Sequence, residues 1–244
     1  TTAARMENAE VRINTHLSNV LTSRLSVQQR TNSTMTLTIR PIRLSPSASF
    51  VKRSMDLAIS LTATLLALPA MAVIAIAVRL TSPGPAIFRQ DRVTEGGRHF
   101  PMYKFRTMVP DAEQLKAKYA HMNELQWPDF KITNDPRITR VGKFLRKTSL
   151  DEIPQFFNIL KGEMSLVGPR PTSFGAETYK LWHTSRLDVM PGLTGLWQIM
   201  GRAQVEFDDR LRLDIAYIER ASLWLDFNIL LRTVIAVFES RGAH

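Results

Sequence analysis

The stretch LAISLTATLLALPAMAVIAIAV, Leu57 to Val78, runs twenty-two residues without a charge, bounded by Lys52, Arg53 and Asp56 before it and Arg79 after it. As an α-helix it extends about 33 Å at ~1.5 Å per residue, enough to match a hydrocarbon core of about 30 Å. The core helix of a soluble domain usually carries a polar stripe; here only Ser60, Thr62 and Thr64 interrupt the apolar run, so the pattern predicts insertion into a membrane. Two features argue against a straight crossing. Pro69 lies near the middle, where it removes a backbone hydrogen bond and favours a kink. Basic residues also flank both ends, with Arg79, Arg89 and Arg92 following the helix, and the positive-inside tendency assigns both flanks to the cytoplasm. A helix that enters one leaflet, bends at Pro69 and returns satisfies both constraints.

Upstream, residues 1–50 are rich in Thr, Ser, Asn and Arg and show no sustained hydrophobic period. They are expected to form a largely disordered basic arm, with one short helix around residues 11–25. No apolar run there resembles a secretory signal, so a cleaved signal peptide is not expected. The Asn32-Ser33-Thr34 triplet is a chance-level glycosylation match. The 244-residue chain carries a formal charge of +10, which points to anionic partners: acidic lipid, phosphorylated small molecules or nucleic acid. It has no cysteine, which excludes disulfides, thiolate chemistry and cysteine-ligated metal centres.

Downstream, Thr81-Ser82-Pro83-Gly84-Pro85 is a turn-rich exit from the apolar helix. Phe88 to Phe105, with Gly96-Gly97 between partly alternating segments, predicts a β-hairpin. Helices are predicted over Asp111 to Gln126 with Asp111 as N-cap, Arg140 to Lys147, Leu150 to Leu160, Phe174 to Trp182, Phe207 to Glu219 and Leu223 to Ser240. The last has a wide apolar face with Trp224 near one end, suited either to the core or to a lipid headgroup region. The expected architecture is α+β, mostly helical: an arm over 1–50, a re-entrant membrane helix over 51–80 and a compact catalytic domain over 81–244, a monotopic membrane protein.

Familiar catalytic signatures are missing: no Walker loop, no G-x-G-x-x-G, no H-E-x-x-H, no Asp-x-Asp pair, and histidines scattered without ligand spacing. The informative stretch is NDPRITRVGKFLRKTSLDEIPQFFNILKGEMSLVGPRP, Asn134 to Pro171. It sets Arg137, Arg140, Lys143, Arg146 and Lys147 ahead of the adjacent carboxylates Asp151 and Glu152, then adds Arg170. The acids have an ordinary explanation, because Ser149-x-x-Glu152 is a capping box. The surrounding cations favour a diphosphate site, since phosphoryl transfer is mostly positioning and charge stabilisation. A carboxylate can attack phosphorus. Helical neighbours point about 100° apart, so one acid could act as nucleophile while the other holds a divalent cation. For Asp214 and Asp226 the ordinary expectation is a local salt bridge to Arg210, Arg212 or Arg232.

From Lys52 onward the sequence resembles the bacterial sugar transferases known as monotopic phosphoglycosyl transferases, or polyprenol-phosphate hexose-1-phosphate transferases. The landmarks are Lys52-Arg53 with Asp56, Ser82-Pro83-Gly84-Pro85, Tyr103-Lys104-Phe105-Arg106-Thr107-Met108, Leu145 to Gln155, Ser165 to Pro171, Pro191 to Gln198, Gly201-Arg202, Asp214, Tyr217, Asp226 and the Arg241-Gly242-Ala243-His244 ending. The resemblance implies that Asp151 is the nucleophile toward the sugar-attached phosphate of a UDP-sugar and Glu152 the Mg2+ ligand. It implies phosphate-site roles for Arg146 and Arg170, places Lys104 and Arg106 beside the site, and puts Arg202 and Asp226 near it. It further implies release of UMP, transfer of the sugar phosphate to undecaprenyl phosphate, and a place on the cytoplasmic face of the bacterial inner membrane. Partners are then a UDP-hexose, undecaprenyl phosphate and inner-membrane lipid, with no nucleic acid and with homo-oligomerisation left open. The family prototype has Ser-Pro at the helix bend where this sequence has Leu68-Pro69. Larger members carry a four-helix membrane bundle ahead of this region, where these residues show the basic arm. The expected task is initiation of exopolysaccharide, capsule or O-antigen synthesis, with a lean toward UDP-galactose or UDP-glucose. The competing readings are a non-catalytic basic scaffold at the membrane surface, a nucleic-acid binder, and a metal-dependent glycosyltransferase releasing UDP.

Overall fold

The computed structural model describes residues 25–30, 34–39, 44–124, 130–172, 181–200 and 207–238. The chain divides into two units, Thr1–Pro41 and Ile42–His244. In the first, β1 (Leu25–Arg30) pairs antiparallel with β2 (Thr34–Ile39), Leu25 opposite Ile39 and Arg30 opposite Thr34. The region expected as an arm without regular structure thus contains a two-stranded ribbon. Most of the helix expected around 11–25 lies outside the described residues.

The second unit begins with α1 (Pro46–Thr81), one continuous helix through Pro69. Ser45 caps its start, the hydroxyl accepting from Ala48 N–H at 3.3 Å, with Pro46 at the first helical position where its missing N–H costs nothing. Its burial is inverted relative to a soluble core helix. The side chains turned into the protein are Asp56, Ser60 and Thr64, spaced four apart on one face, with Val78 further on. Leu57, Leu61, Leu65, Leu66, Leu68, Val73, Ile76 and Leu80 are exposed. Water would not tolerate that surface cheaply, whereas hydrocarbon would. The three interruptions read from the sequence therefore matter unequally: Ser60 and Thr64 form the protein-facing stripe, and Thr62 faces out, its hydroxyl donating to Ala58 O at 2.9 Å.

Both ends of α1 dock on the same domain. At the first end Lys52 Nζ donates to Asp226 Oδ2 (2.5 Å) and to Val167 O (3.0 Å). Arg53 donates to the carbonyls of Ile159 and Leu160, and Asp56 Oδ1 accepts from Leu166 N–H (3.1 Å). At the far end Val78 packs with Phe105 and Leu145 in an apolar cluster that Met71, Ile74 and Ala75 extend.

The hairpin forms as expected: β3 (Ile87–Val93) runs antiparallel to β4 (His99–Phe105), and Gly96 and Gly97 supply positive φ (71° and 77°) at the reversal. After β4, the predicted Asp111–Gln126 helix is reduced to α2 (Leu115–Lys118) and a 3-10 turn at Ala120–Met122, with Gln126 outside the described residues. The chain there is pulled back instead, because Glu124 N–H donates to Lys131 O and the Glu124 carboxylate accepts from Thr133 N–H and Oγ1. Next come α3 (Arg140–Lys147), a 3-10 turn at Leu150–Glu152 and α4 (Gln155–Lys161). The single helix expected over Leu150 to Leu160 is divided where Pro154 lacks a donor. Strands β5 (Ser165–Val167) and β6 (Gly192–Thr194) form a parallel pair that the sequence reading did not predict; a Cβ on Gly192 would lie 2.1 Å from the Gly168 nitrogen, so only glycine permits this approach. The helix expected over Phe174 to Trp182 falls mostly outside the described residues, and Leu181–Asp188 is 3-10 helical. Finally α5 (Leu196–Met200), α6 (Phe207–Glu219) and α7 (Leu223–Phe238) complete the domain. The main core joins β4, α4, β5, α6 and α7 through Phe100, Met102, Ile159, Met164, Leu166, Tyr217, Ile218 and Ile229. The described domain is α+β and mostly helical.

The docking of α1 is testable by stability. Asp226 accepts from both Lys52 and Tyr217 Oη (2.7 Å), so Asp226→Ala removes the counter-ion of a largely desolvated ammonium and leaves both donors to share the Val167 carbonyl. It is expected to cost about 3 kcal/mol and to lower the melting temperature of the full chain in detergent by roughly 10 °C. A melting curve that overlays wild type would remove this contact from the account of how α1 is held.

Candidate active site

Three local decisions build the site. First, Thr139 caps α3, its hydroxyl accepting from Gly142 N–H at 2.9 Å. Gly142 lets the helix lie against β4's continuation, because a Cβ there would fall 2.0 Å from the Thr107 carbonyl oxygen. Arg146, one turn on, then donates through Nε to Thr107 Oγ1 (2.9 Å). Second, Ser149 adopts the left-handed conformation (φ 57°), which no other non-glycine among the described residues does. The chain reverses there, so Arg146 and Asp151 line one cavity. Third, Arg170 returns from the turn after β5 to meet the Leu150–Glu152 segment. The expected capping box does not form: Ser149 makes no side-chain cap, and the Glu152 carboxylate is used elsewhere.

Glu152 is gripped by two cations. Arg170 Nη2 donates to Oε1 and Nη1 to Oε2 (3.4 Å), while Lys104 Nζ donates to Oε1 at 3.1 Å. Burial alone would raise this carboxyl, but Arg170 and Lys104 outweigh it and hold the group well below the usual carboxylate range. Asp151, the next residue, goes the other way. Burial and the neighbouring Glu152 charge raise it, only partly countered by Lys104, Arg146 and Arg170, and no described residue is seen to hydrogen-bond to its carboxylate. Burial also lowers Lys104, whereas the Glu152 charge raises Arg170. Two adjacent acids thus hold different electrostatic states. One is a fixed anion that organises cations; the other accepts no hydrogen bond from a described residue and is raised.

Two cavities meet at this point. One, of about 1030 Å³, is strongly cationic, lined by Lys116, Arg137, Lys143, Lys147, Arg186 and Arg210, with Phe130 and Trp197 as flat apolar walls. The other, of about 980 Å³, is mainly apolar. It holds Asp151 and Glu152 and is walled by Met55 and Ile59 of α1 and by Phe227, Leu231 and Val234 of α7. Arg146, Arg170 and Trp197 line both.

Of the residues singled out from the sequence, the fold brings together Asp151, Glu152, Lys104, Arg146 and Arg170. Arg106 lines the apolar cavity, but its two terminal nitrogens are occupied by carbonyls, Pro83 O at 2.6 Å and Ser82 O at 2.7 Å; it pins the exit of α1 rather than reaching the acids. Asp226 is committed to Lys52 and Tyr217 and serves the docking of α1. Asp214 hydrogen-bonds Arg186 (2.7 Å), with the expected neighbour Arg210 acting on it through its charge, and Asp226 pairs with Lys52. Arg202 lies outside the described residues. Pro69 sits on the exposed side of α1. Within the Pro191 to Gln198 landmark, Gly192–Thr194 is strand β6. Arg186 was not identified from the sequence: twenty-eight positions separate it from Asp214, and nothing in its own segment marks it.

For a magnesium ion the described residues offer a limited donor set. Among the described residues no group of three or more His, Asp and Glu side chains converges, which excludes an all-protein cage built from them. Mg2+ commonly takes one or two carboxylates and completes its shell with substrate phosphate and water. Asp151 and Glu152, beside cations suited to a diphosphate, fit that second arrangement.

A family model described as bacterial sugar transferase matches residues 47–240. The undecaprenyl-phosphate galactose phosphotransferase of Salmonella typhimurium is 45% identical over 204 residues, covering 81% of this chain and 42% of that protein. The UDP-glucose:undecaprenyl-phosphate glucose-1-phosphate transferase of Escherichia coli is 36% identical over 240 residues, 93% of this chain and 48% of its own length. The exopolysaccharide production protein ExoY of Rhizobium meliloti is 38% identical, with 82% of this chain and 90% of that protein aligned. The chain therefore spans less than half the length of the first two relatives and nearly all of the third.

The buried acid Asp214 provides a pH test of the site's wall. Burial pushes its carboxyl up to about 7, against the pull of Arg186, Arg210 and Arg170, while in the unfolded chain it titrates near ~3.9. The folded form therefore binds this proton more tightly. Its contribution to stability is fully present below about pH 4 and is lost as pH rises toward 7. Asp214→Asn, which cannot titrate, is expected to gain stability relative to wild type across that window, read as the difference between melting temperatures at pH 4.5, 5.5, 6.5 and 7.5. A difference that does not change with pH contradicts the assignment.

Proposed function

This chain belongs to the bacterial sugar transferase family, and on that premise we propose that it transfers hexose 1-phosphate from a UDP-hexose to undecaprenyl phosphate through an aspartyl phosphosugar. The observation that carries the reading is the divided pair of acids: Glu152 is neutralised by Arg170 and Lys104, and next to it Asp151 is unengaged and raised, where the cationic and apolar cavities meet. The cationic cavity suits a nucleoside diphosphate-sugar, with phosphates near Arg146 and Arg170 and a base able to lie on Trp197 or Phe130. The apolar cavity suits the first isoprene units of a polyprenyl chain.

In the first half-reaction a carboxylate oxygen of Asp151 attacks the sugar-bearing phosphorus. The bond from that phosphorus to the bridging oxygen breaks, and UMP leaves with the oxygen and its electron pair. Arg146 and Arg170 stabilise the charge that develops on the phosphoryl oxygens and the leaving group, and positioned charges of this kind account for much of enzymatic phosphoryl transfer. In the second half-reaction a phosphate oxygen of undecaprenyl phosphate attacks the same phosphorus, Asp151 is released as carboxylate, and the product is an undecaprenyl diphosphate hexose. Mg2+, held by Glu152 with substrate phosphate oxygens, would add positive charge for the leaving group. The relatives named for galactose and glucose transfer and ExoY, named for exopolysaccharide production, support UDP-galactose or UDP-glucose as donor and polysaccharide initiation as the task.

We also assign a monotopic placement at the cytoplasmic face of the inner membrane. Support comes from α1, whose apolar face is exposed and whose two ends both dock on one domain, so that they belong on one side of the bilayer. A helix of thirty-six residues is about 54 Å long at ~1.5 Å per residue, and Pro69 is where it would bend. On α7, Trp224 (71% exposed), Phe227, Leu231 and Ile235 offer a second apolar surface for the interface.

The test is turnover by the full chain in detergent with UDP-galactose or UDP-glucose, Mg2+ and undecaprenyl phosphate, identifying the nucleotide released. UMP is expected. Asp151→Asn is expected to reduce release by at least about a thousandfold, since loss of a nucleophile costs factors of that order or more, and to abolish the protein-bound radiolabel that wild type accumulates from labelled sugar without acceptor. Release of UDP would assign a different reaction, and an active Asp151→Asn would remove the covalent step.

A further inference from the structure

We propose that Arg186 and Asp214 form a positioning pair that keeps Arg170 on Glu152 by holding the Arg170 backbone from behind; this role rests on the phosphoryl-transfer reading above. The turn after β5 is fixed at three successive residues. Gly168 N–H donates to Thr194 O (3.0 Å), Gly192 N–H donates to Pro169 O (2.8 Å), and Arg186 Nη2 donates to Arg170 O (2.6 Å). The first two contacts extend the β5–β6 pairing. The third comes from a side chain, and the sequence explains why one is needed. Pro169 and Pro171 flank Arg170 and have no N–H, so the turn has few donors with which to continue a backbone ladder.

The same Arg186 Nη2 donates to Asp214 Oδ2 at 2.7 Å. Arg186 is 6% exposed and Asp214 1%, on the Leu181–Asp188 turn and on α6 respectively. Neither hydrogen-bonds to Asp151 or Glu152; both act on the site only through residue 170. Asp214 makes the arrangement electrostatically feasible. A lone guanidinium buried beside Arg170 and Arg210 would meet like charge and lose its hydration, whereas the Asp214 carboxyl gives it a hydrogen-bond acceptor and, when ionised, offsets its charge. The chain of contacts runs from Asp214 to Arg186, to the Arg170 carbonyl, through the Arg170 side chain to Glu152, and ends at Lys104. Releasing the carbonyl frees the turn to rotate, and a displacement of about 1 Å at a reacting centre costs on the order of a hundredfold in rate.

A double-mutant cycle tests this in the full chain in detergent, with two readouts: kcat and KM for UMP release, and affinity for inorganic pyrophosphate by calorimetry. Arg186→Gln is expected to lower kcat on the order of tenfold to a hundredfold and to weaken pyrophosphate binding, with Asp214→Asn acting in the same direction. In an Arg170→Ala background, Arg186→Gln is expected to change either readout by less than about twofold, because a residue that acts through another is non-additive with it. A purely structural residue would lower the melting temperature and add its full effect in both backgrounds. Arg186→Lys repeats the cycle if the glutamine variant does not fold, since it keeps the buried charge beside Asp214 but its ammonium lies one bond short of the Nη2 position that reaches the Arg170 carbonyl. Full additivity, or wild-type kcat and pyrophosphate affinity in a folded Arg186 variant, overturns the proposal. Wild-type protein that binds no pyrophosphate overturns it too. Wild-type protein that binds pyrophosphate but turns over no UDP-hexose defeats the transferase reading instead, and the pyrophosphate cycle still decides the role of the pair.

Discussion

The structure depends on a helix that is held to its protein by polar contacts and leaves its apolar side outward. Lys52, Arg53 and Asp56 reach, within one turn and a half, an acid on α7, the end of α4 and the β5 backbone. The contacts are polar on both sides: Arg53 donates to the Ile159 and Leu160 carbonyls in the last turn of α4, and Asp56 takes the Leu166 N–H. In an aqueous domain such a helix would be turned the other way. The inversion is reasonable only if the solvent on its outer face is lipid, where apolar surface needs no cover and polar groups must find partners inside. The same contacts also fix the wall of the cleft, because β5, which Asp56 and Lys52 hold, leads through Gly168 and Pro169 into Arg170.

Burial changes the value of every charge in the cleft. Coulomb interactions strengthen as water is excluded, and Asp151 and Glu152 show the two possible results for one residue type. Glu152 meets Arg170 and Lys104 and becomes a permanent anion; Asp151 meets burial and a like charge and becomes more basic. An aspartate and a glutamate one residue apart would behave alike on an exposed helix. Their difference is produced by the partners, which come from β4 and from the turn after β5.

This also explains what could be read from the sequence. Features whose cause is local were legible: the uncharged run of α1, the hairpin around Gly96-Gly97, α3 behind its Thr139 cap, and α6 and α7 from their apolar spacing. The acids with their nearby cations were legible as a cluster, and the family resemblance narrowed the cluster to roles. Features whose cause is distant were not. The strands β5 and β6 are three residues each, too short for an alternating pattern. Asp214 and Asp226 were assigned helical neighbours because spacing is all that a sequence displays, yet each pairs with a cation from another element. Asp111 to Gln126 had helix-forming composition, and contacts between Glu124 and Thr133 bend the chain back instead. The capping box was a correct local pattern that lost to a stronger competitor, the two cations that draw Glu152 away.

Ser149 shows how the local and distant levels meet. A left-handed non-glycine residue costs roughly 1–2 kcal/mol, and such residues persist where the surroundings over-determine them. Here both sides do. Ser149 N–H donates to Arg146 O, ending α3, and Ser149 O accepts from Glu152 N–H, starting the next turn. A right-handed residue at this point would continue α3 and carry Asp151 around the helix, away from Arg146's cavity. Reversing the chain in one residue lets the Arg146 guanidinium and the Asp151 carboxyl, only five positions apart, line the same cavity. The Gly142 approach to Thr107 and the Arg186 hold on Arg170 then set the two walls at fixed positions. The strain at residue 149 is thus the local cost of a geometry that an uninterrupted helix could not provide, and packing of α3 and α4 on either side supplies the energy to maintain it.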